Sequence, residues 1–476
     1  MTFLGRQAHQ QTHQHPGESG FYPMNLGPEA LVARLRAVRA AEKSLDLQYY
    51  IWQDDLVGRI LLGEIIKAAD RGVRVRLLLD DLHIGPYEDH LVIIDSHPNI
   101  EVRMFNPLAN RVMRFLDIFR YDEVNRRMHN KSFIADNELA IVGGRNIANE
   151  YYSASQEVNF SDFDVSLIGP VVIQLSEQFD LYWNNNLAVP ISVLNKKKVQ
   201  LQDLRDLQKK FADFEKANRD TPYAQSLFAT DLNQMLMTQG NPFLYWGLAE
   251  AVYDDPEKIS GKVTARVPLL SQSFAADHPI EKDILLVTPY FIPGKEGVEY
   301  LRKLRKQGVR VRVLTNSLAA NDVTVVFSGY KKYRKDLLRM GVELYELKPR
   351  AKPLGSKKRF LGTSGGRMGL HAKIYVLDQT NIFVGSLNLD PRSFNLNSEM
   401  GVFINAPSFA EDLDTQLSQN LLSIAYKVDF KKDSDDLKWT TEENDQLVVV
   451  QSEPEVGFWK KFSAVFLSIF VPESQM

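Results

Sequence analysis

Cysteine is absent from all 476 residues. That excludes thiol nucleophiles, disulfide frameworks and Cys-type zinc sites, and it leaves the compartment open. No run of about 18 apolar residues occurs, so no simple bilayer-spanning helix is written in the chain. The N-terminus, "MTFLGRQAHQQTHQHPGESG", lacks the basic-then-apolar order of a secretory signal. His9, His13 and His15 lie there without carboxylates or an ordered framework, which reads as a mobile polar tail rather than a metal site. One-sided charge is missing too: formal net charge is −3, so no global positive field gathers nucleic acid.

What is present is ordinary for a globular protein, 44% apolar and 25% charged, at a length that suits two domains. The chain also repeats itself. "DRGVRVRLLLDD" (70–81) returns as "KQGVRVRVLTNS" (306–317), and "NIEVRMFNP" (99–107) as "GVELYELKP" (341–349). Each half has an apolar β-rich run, then an amphipathic helix (Leu61, Ile65, Ala68; Val298, Leu301, Leu304), then a C′ glycine (Gly72, Gly308) and an alternating strand. Strand–helix–strand order implies parallel strands with crossover helices. The expected fold class is therefore α/β: a duplicated domain of two sheets flanked by helices. Expected boundaries are a flexible tail at 1–25, a first half at 26–193, a polar helical connector at 194–280, a second half at 281–435, and a C-terminal strand and tail at 436–476.

The sharpest repeat is chemical. "MHNKSFIADNELAIVGGRN" (128–146) and "LHAKIYVLDQTNIFVGSLN" (370–388) share His, Lys, Asp, Gly and Asn at equal spacing, with the histidines 242 residues apart. On a strand, His129 and Lys131 share one face, as do His371 and Lys373. An ammonium beside an imidazole repels cations but suits phosphate, so no metal is called for. Asp136 and Asp378 stand where the chain must turn and read mainly as turn-formers within the motif. Gly144 and Ser386 open the closing turns, where a backbone can approach a ligand. Asn146 and Asn388 can donate to a phosphoryl oxygen. Because Ser386 faces Gly144 in the first copy, the halves are not equivalent.

The pattern H-x-K-x4-D-x6-G-[GS]-x-N resembles the HKD signature of the phospholipase D superfamily. Further stretches, among them "LDLQYYIWQDD", "IVGGRNIANEYY" and "LNLDPRSFNLNSEMG", resemble the bacterial C-type cardiolipin synthases and their phospholipase-D-like relatives over roughly residues 20 to 450. The resemblance implies a pseudo-twofold fold with both motifs in one active site and no cofactor. It implies a phosphohistidine route, with His129 the nucleophile and His371 the acid/base. Glu399 matches the family's supporting carboxylate, and Asp164 is the first-half candidate. The implied activity is transfer of a phosphatidyl group to phosphatidylglycerol, with phosphatidylglycerol or phosphatidylethanolamine as donor. Hydrolysis to phosphatidic acid, a nuclease-like phosphodiesterase and a membrane-binding scaffold with a decayed site are the alternatives.

Three segments favour a lipid partner over nucleic acid: "VGFWKKFSAVFLSIFVPE" (456–473) as an interfacial helix, "LANRVMRFLDIFRY" (108–121) as a membrane-facing rim, and the basic "RAKPLGSKKRFLGTSGGRMG" (350–369). The expected location is peripheral, on a bacterial inner membrane.

Overall fold

The computed structural model describes residues 1–110, 124–238, 240–261, 279–321, 323–350 and 366–456. The lipid-facing segments just named fall largely on 111–123, 351–365 and 457–476, outside the described residues. Among the described residues no helix is long and apolar enough to cross a membrane.

The first half contains strands β1 (Ser19–Met24), β2 (Ser44–Tyr49), β3 (Arg74–Asp80), β4 (Ile100–Phe105), β5 (Ser132–Ala135), β6 (Leu139–Gly143), β7 (Val158–Ser161), β8 (Asp164–Ile168) and β9 (Ala188–Pro190). The second contains β10 (Tyr245–Tyr253), β11 (Asp283–Val287), β12 (Arg310–Asn316), β13 (Glu343–Leu347), β14 (Arg367–Leu370), β15 (Ile374–Leu377), β16 (Asn381–Gly385), β17 (Met400–Asn405) and β18 (Ala425–Phe430). A hairpin, β19 (Leu437–Glu443) and β20 (Gln446–Val450), follows.

Pairing runs β9-β4-β3-β2-β5-β6-β8-β1 in the first half and β18-β13-β12-β11-β15-β16-β17-β10 in the second, the same order twice. The strands β2, β3 and β4 are parallel, as are β11, β12 and β13. Their crossover helices form as the apolar spacing requires. Helix Leu56–Asp70 is capped by the Asp55 side chain and buries Leu61, Ile65 and Ala68; helix Gly294–Lys306 buries Val298, Leu301 and Leu304. Both halves leave their helix through a glycine at φ +97° (Gly72) or +90° (Gly308), where any Cβ would be strained.

β1 and β10 then pair antiparallel and join the two halves into one sheet, 18-stranded among the described residues. One buried apolar cluster accordingly draws on both halves, with Phe21, Val142 and Phe179 beside Val384, Val402 and Phe409.

Three expectations change here. The N-terminal stretch is no mobile tail. Residues Phe3–Thr12 form a helix capped by Thr2, with Gly5 and Ala8 buried, and His15 stacks on Trp246 at 4.0 Å. Small residues on one face let this polar helix lie against the body. Residues 19–24 belong to the sheet because Phe21 and Met24 are fully buried. The connector is not purely helical either: after helices Leu201–Asn218, Pro222–Phe228 and Asp231–Thr238, the chain enters β10, the counterpart of β1.

Candidate active site

Each histidine stands at the mouth of a hairpin, His129 before β5 and His371 before β15. What brings the halves together is the chain just ahead of them. β14, ending at Leu370, pairs in parallel with β7, and Met128 bridges Ser398 in the same sense. The His129 amide donates to the Ser398 carbonyl (2.9 Å), and the His371 amide to that of Ser161 (2.8 Å). The residue after each of those serines is a carboxylate, so the carboxylates are exchanged between halves. Glu399 approaches His129 Nδ1 at 2.9 and 3.1 Å; Asp162 approaches His371 Nδ1 at 2.7 Å. A carboxylate on Nδ1 fixes the tautomer and leaves Nε2 for a substrate.

The expected first-half carboxylate was Asp164, and this is corrected. Asp164 is fully buried in an ion pair with Arg34 (2.9 Å) and lies 3.4 Å from Arg145. Two guanidiniums, not an imidazole, face it. Strand register shows the proper equivalence. Gly143 faces Asp164 as Gly385 faces Gly401, so the residue two earlier is Asp162 in one half and Glu399 in the other. The sequence signal is Ser-Asp (161–162) against Ser-Glu (398–399).

The glycine–serine difference has a steric cause. A Cβ at Gly144 would lie 2.2 Å from Asp162 Oδ1, so that space belongs to the carboxylate. In the other half Ser386 Oγ donates to Glu399 Oε2 at 2.5 Å.

Both lysines are buried and turn back on their own motif. Lys131 Nζ donates to the His129 carbonyl at 2.7 Å. Lys373 Nζ lies 2.5 Å from the His371 carbonyl and 3.0 and 3.2 Å from its ring nitrogens. Burial and the two ammonium groups depress both imidazoles, His371 to about 4 and His129 well below its usual value. Each ammonium acts on the imidazole of the opposite half as well as its own, so all four groups address one region. Burial likewise pushes Lys131 far below the usual lysine range. The carboxylates diverge. Burial would raise Asp162, but His371 and Lys373 overcome it and hold the group at about 2. Burial prevails at Glu399, which sits at about 7 although Lys131 and the Ser386 hydroxyl favour its charged form.

The asparagines differ. Asn146 Oδ1 accepts from the Ile51 amide (3.1 Å) and its Nδ2 donates to Tyr151 Oη (3.0 Å), whereas Asn388 Oδ1 is buried with no hydrogen-bond partner among the described residues. Asp136 and Asp378 contact neither imidazole. Their carboxylates accept from the amides of residues 42–44 and 281–283. The motif spacing gave no hint of the aromatic walls. Tyr50 meets the His129 ring edge-on at 5.0 Å; Tyr151 and Phe160 flank His371 at 5.0 and 5.4 Å.

Comparison with known proteins agrees with this architecture. The family model described as "Cardiolipin synthase, PLD-like domain" matches residues 35–183 and 279–421, one segment per half. The chain is 38% identical to cardiolipin synthase C of Escherichia coli over 97% of both chains. It is 26% identical to E. coli cardiolipin synthase B, over 85% of this chain and 80% of that one. In fold it is similar to the crystal structure of a phosphatidylserine synthase from Haemophilus influenzae, with TM-score 0.58 and 14% identity over 99% of each chain.

Proposed function

The chain belongs to the phospholipase-D-like family of cardiolipin synthases, and from that premise we propose that it is a phosphatidyl transferase making cardiolipin through a phosphohistidine. The observation that carries this reading is the pair of exchanged imidazole–carboxylate contacts flanked by two buried lysines. Phosphodiester exchange needs those groups: a nucleophile, a proton carrier and fixed positive charge.

His129 Nε2 attacks phosphorus and forms a P–N bond as the P–O bond to the donor's headgroup breaks. The departing oxygen takes a proton from His371. The hydroxyl of an acceptor phosphatidylglycerol then gives its proton to His371, its oxygen bonds phosphorus, and the P–N bond breaks. Lys131 and Lys373 face the equatorial oxygens, joined by the Asn388 amide. Asn146 holds Tyr151 against His371 through one of its two amide N–H groups. An anionic phosphodiester between the ammonium groups offsets the charge that depresses His371, so substrate binding itself favours the imidazolium needed for proton donation. Asp162, ionised at neutral pH, supports that imidazolium. The donor is phosphatidylglycerol or phosphatidylethanolamine, and the enzyme works peripherally on a bacterial membrane surface.

Labelled phosphatidylglycerol, supplied with and without phosphatidylethanolamine, separates the outcomes. Labelled cardiolipin supports the transferase, phosphatidic acid alone replaces it with a lipase, and DNA cleavage without lipid turnover replaces it with a nuclease. His129→Ala and His371→Ala are each expected to abolish turnover with unchanged thermal unfolding. Substantial turnover by either folded variant refutes the shared site.

A further inference from the structure

The two carboxylates are held from behind by different chemistry. In the first half, Arg145 lies behind Asp162, donating to its carbonyl at 2.8 Å and to the carbonyls of Met24, Asn25 and Tyr151. The second half has Leu387 at the place of Arg145 and uses another device. The Glu399 amide donates to Asp254 Oδ2 (2.9 Å), and the Asp254 amide donates back to the Glu399 carbonyl (2.9 Å). Lys258 Nζ donates to that same Asp254 oxygen (2.8 Å) and to the Ser393 carbonyl (3.0 Å). Tyr182, from the first half, donates to the Asp254 carbonyl at 2.7 Å. All of these side chains are buried. Register puts Leu26 at the first-half place of Asp254, since Met24 faces Asp164 as Val252 faces Gly401. The device is therefore one-sided.

We propose that Asp254 and Lys258 are positioning residues that fix Glu399 against His129 and set its charge, so that their balance tunes the first-half imidazole alone. The inference rests on the phosphatidyl-transfer reading for its catalytic meaning, not for its geometry. A buried pair that shares an oxygen with the Glu399 amide controls both the orientation of that residue and the field it feels. The other groups facing Glu399 are His129, Lys131 and Tyr50 from the first half, with Ser386, Tyr375, Asp390 and Ser393 from the second. Of these only Ser393 touches the pair, through its carbonyl to Lys258, a contact that Asp254→Asn and Lys258→Arg keep.

The signs are opposite for the two partners. Lys258 favours the charged form of Glu399. Lys258→Met removes a cation and leaves Asp254 facing Glu399, so Glu399 keeps its proton to higher pH. Asp254→Asn retains an oxygen for the Glu399 amide but leaves Lys258 unneutralised, so Glu399 loses its proton at lower pH. The probe is the His129 ring in full-length protein labelled with 15N-histidine, assigned by its loss in His129→Gln. Its titration is expected to move up by about one unit in Lys258→Met and down by a similar amount in Asp254→Asn. Lys258→Arg restores the unmodified curve, and the signal of His371 stays still throughout. The acidic limb of kcat/KM for lipid turnover follows the same displacements. Opposite NMR shifts without lipid turnover uphold the positioning role and reject the transferase. Turnover with curves that do not move, or that move together, overturns the positioning role. If Lys258→Met fails to fold, Asp254→Asn and Lys258→Arg decide by the same criteria.

Discussion

Two aspartates two places apart, Asp162 and Asp164, show how much one residue's neighbours decide. Asp162 reaches an imidazole, while Asp164 reaches two buried guanidiniums. Replacing them should therefore fail in different currencies. Asp162→Asn removes the charge that fixes and supports His371, and kcat is expected to fall on the order of 10^3-fold with unfolding unchanged. Asp164→Asn strands Arg34 and Arg145 and is expected to lower stability by about 3–5 kcal/mol in urea denaturation, with turnover per folded molecule largely kept. The reverse pattern would restore Asp164 to the site. The sequence made the imidazoles and lysines readable because they recur at equal spacing. Asp162 was hidden because the loop after Asn146 is longer: it comes 16 residues after Asn146, against 11 from Asn388 to Glu399. Counting from the motif lands off target, and only strand register corrects it. Tyr50, Tyr151 and Phe160 gave no signal at all, since a wall of aromatic rings needs no fixed spacing.

At the scale of the element, the hairpin turns separate structure from chemistry. Asp136 and Asp378 adopt φ of +56° and +51°, followed by Asn137 and Gln379 at +57° and +55°. Aspartate tolerates that conformation, and each carboxylate also gathers three amides from the strand entry beside it. Asp136→Ala loses those acceptors and its ease at positive φ, at a cost of about 2–4 kcal/mol, while Asp136→Asn keeps one acceptor and loses less. Thermal unfolding of both variants, beside turnover normalised to folded protein, tests this; a kcat defect at unchanged Tm would place Asp136 in the chemistry. The turns were legible because Asp announces them. The edge elements were not. β10 is mostly half-buried, so "YWGLAEAVY" shows neither a clean alternation nor an apolar run. The N-terminal helix is polar by composition and docks through Gly5 and Ala8, whose small size carries no periodic signature.

For the whole molecule, duplication is what makes one site from two motifs, and the division between the halves can be located. Helices Pro222–Phe228 and Asp231–Thr238 pack on the first half: both lie against helix Gly27–Ala40, where Arg36 donates to Asn233 Oδ1 at 2.6 Å, and Tyr223 reaches the turn beyond it, donating to the Tyr152 carbonyl at 2.8 Å. The next described residue, Gly240, is exposed at φ +80°, and β10 begins five residues later. The connector thus belongs mostly to the first half, and the boundary falls near residue 239. Across it run the β1–β10 pairing, the mixed apolar cluster and both exchanged carboxylates. A chain cut after residue 239 is expected to yield two fragments that are each inactive, because each then holds an imidazole whose carboxylate lies on the other. Co-expressed, they are expected to copurify and regain lipid turnover, since the cut removes one covalent connection while the joining surface is intact. Pairing His129→Ala in the first fragment with an unmodified second fragment should give no turnover, although the two still associate. Activity from either fragment alone would mean that one half builds a complete site, and the exchange of carboxylates would then have no part in the chemistry.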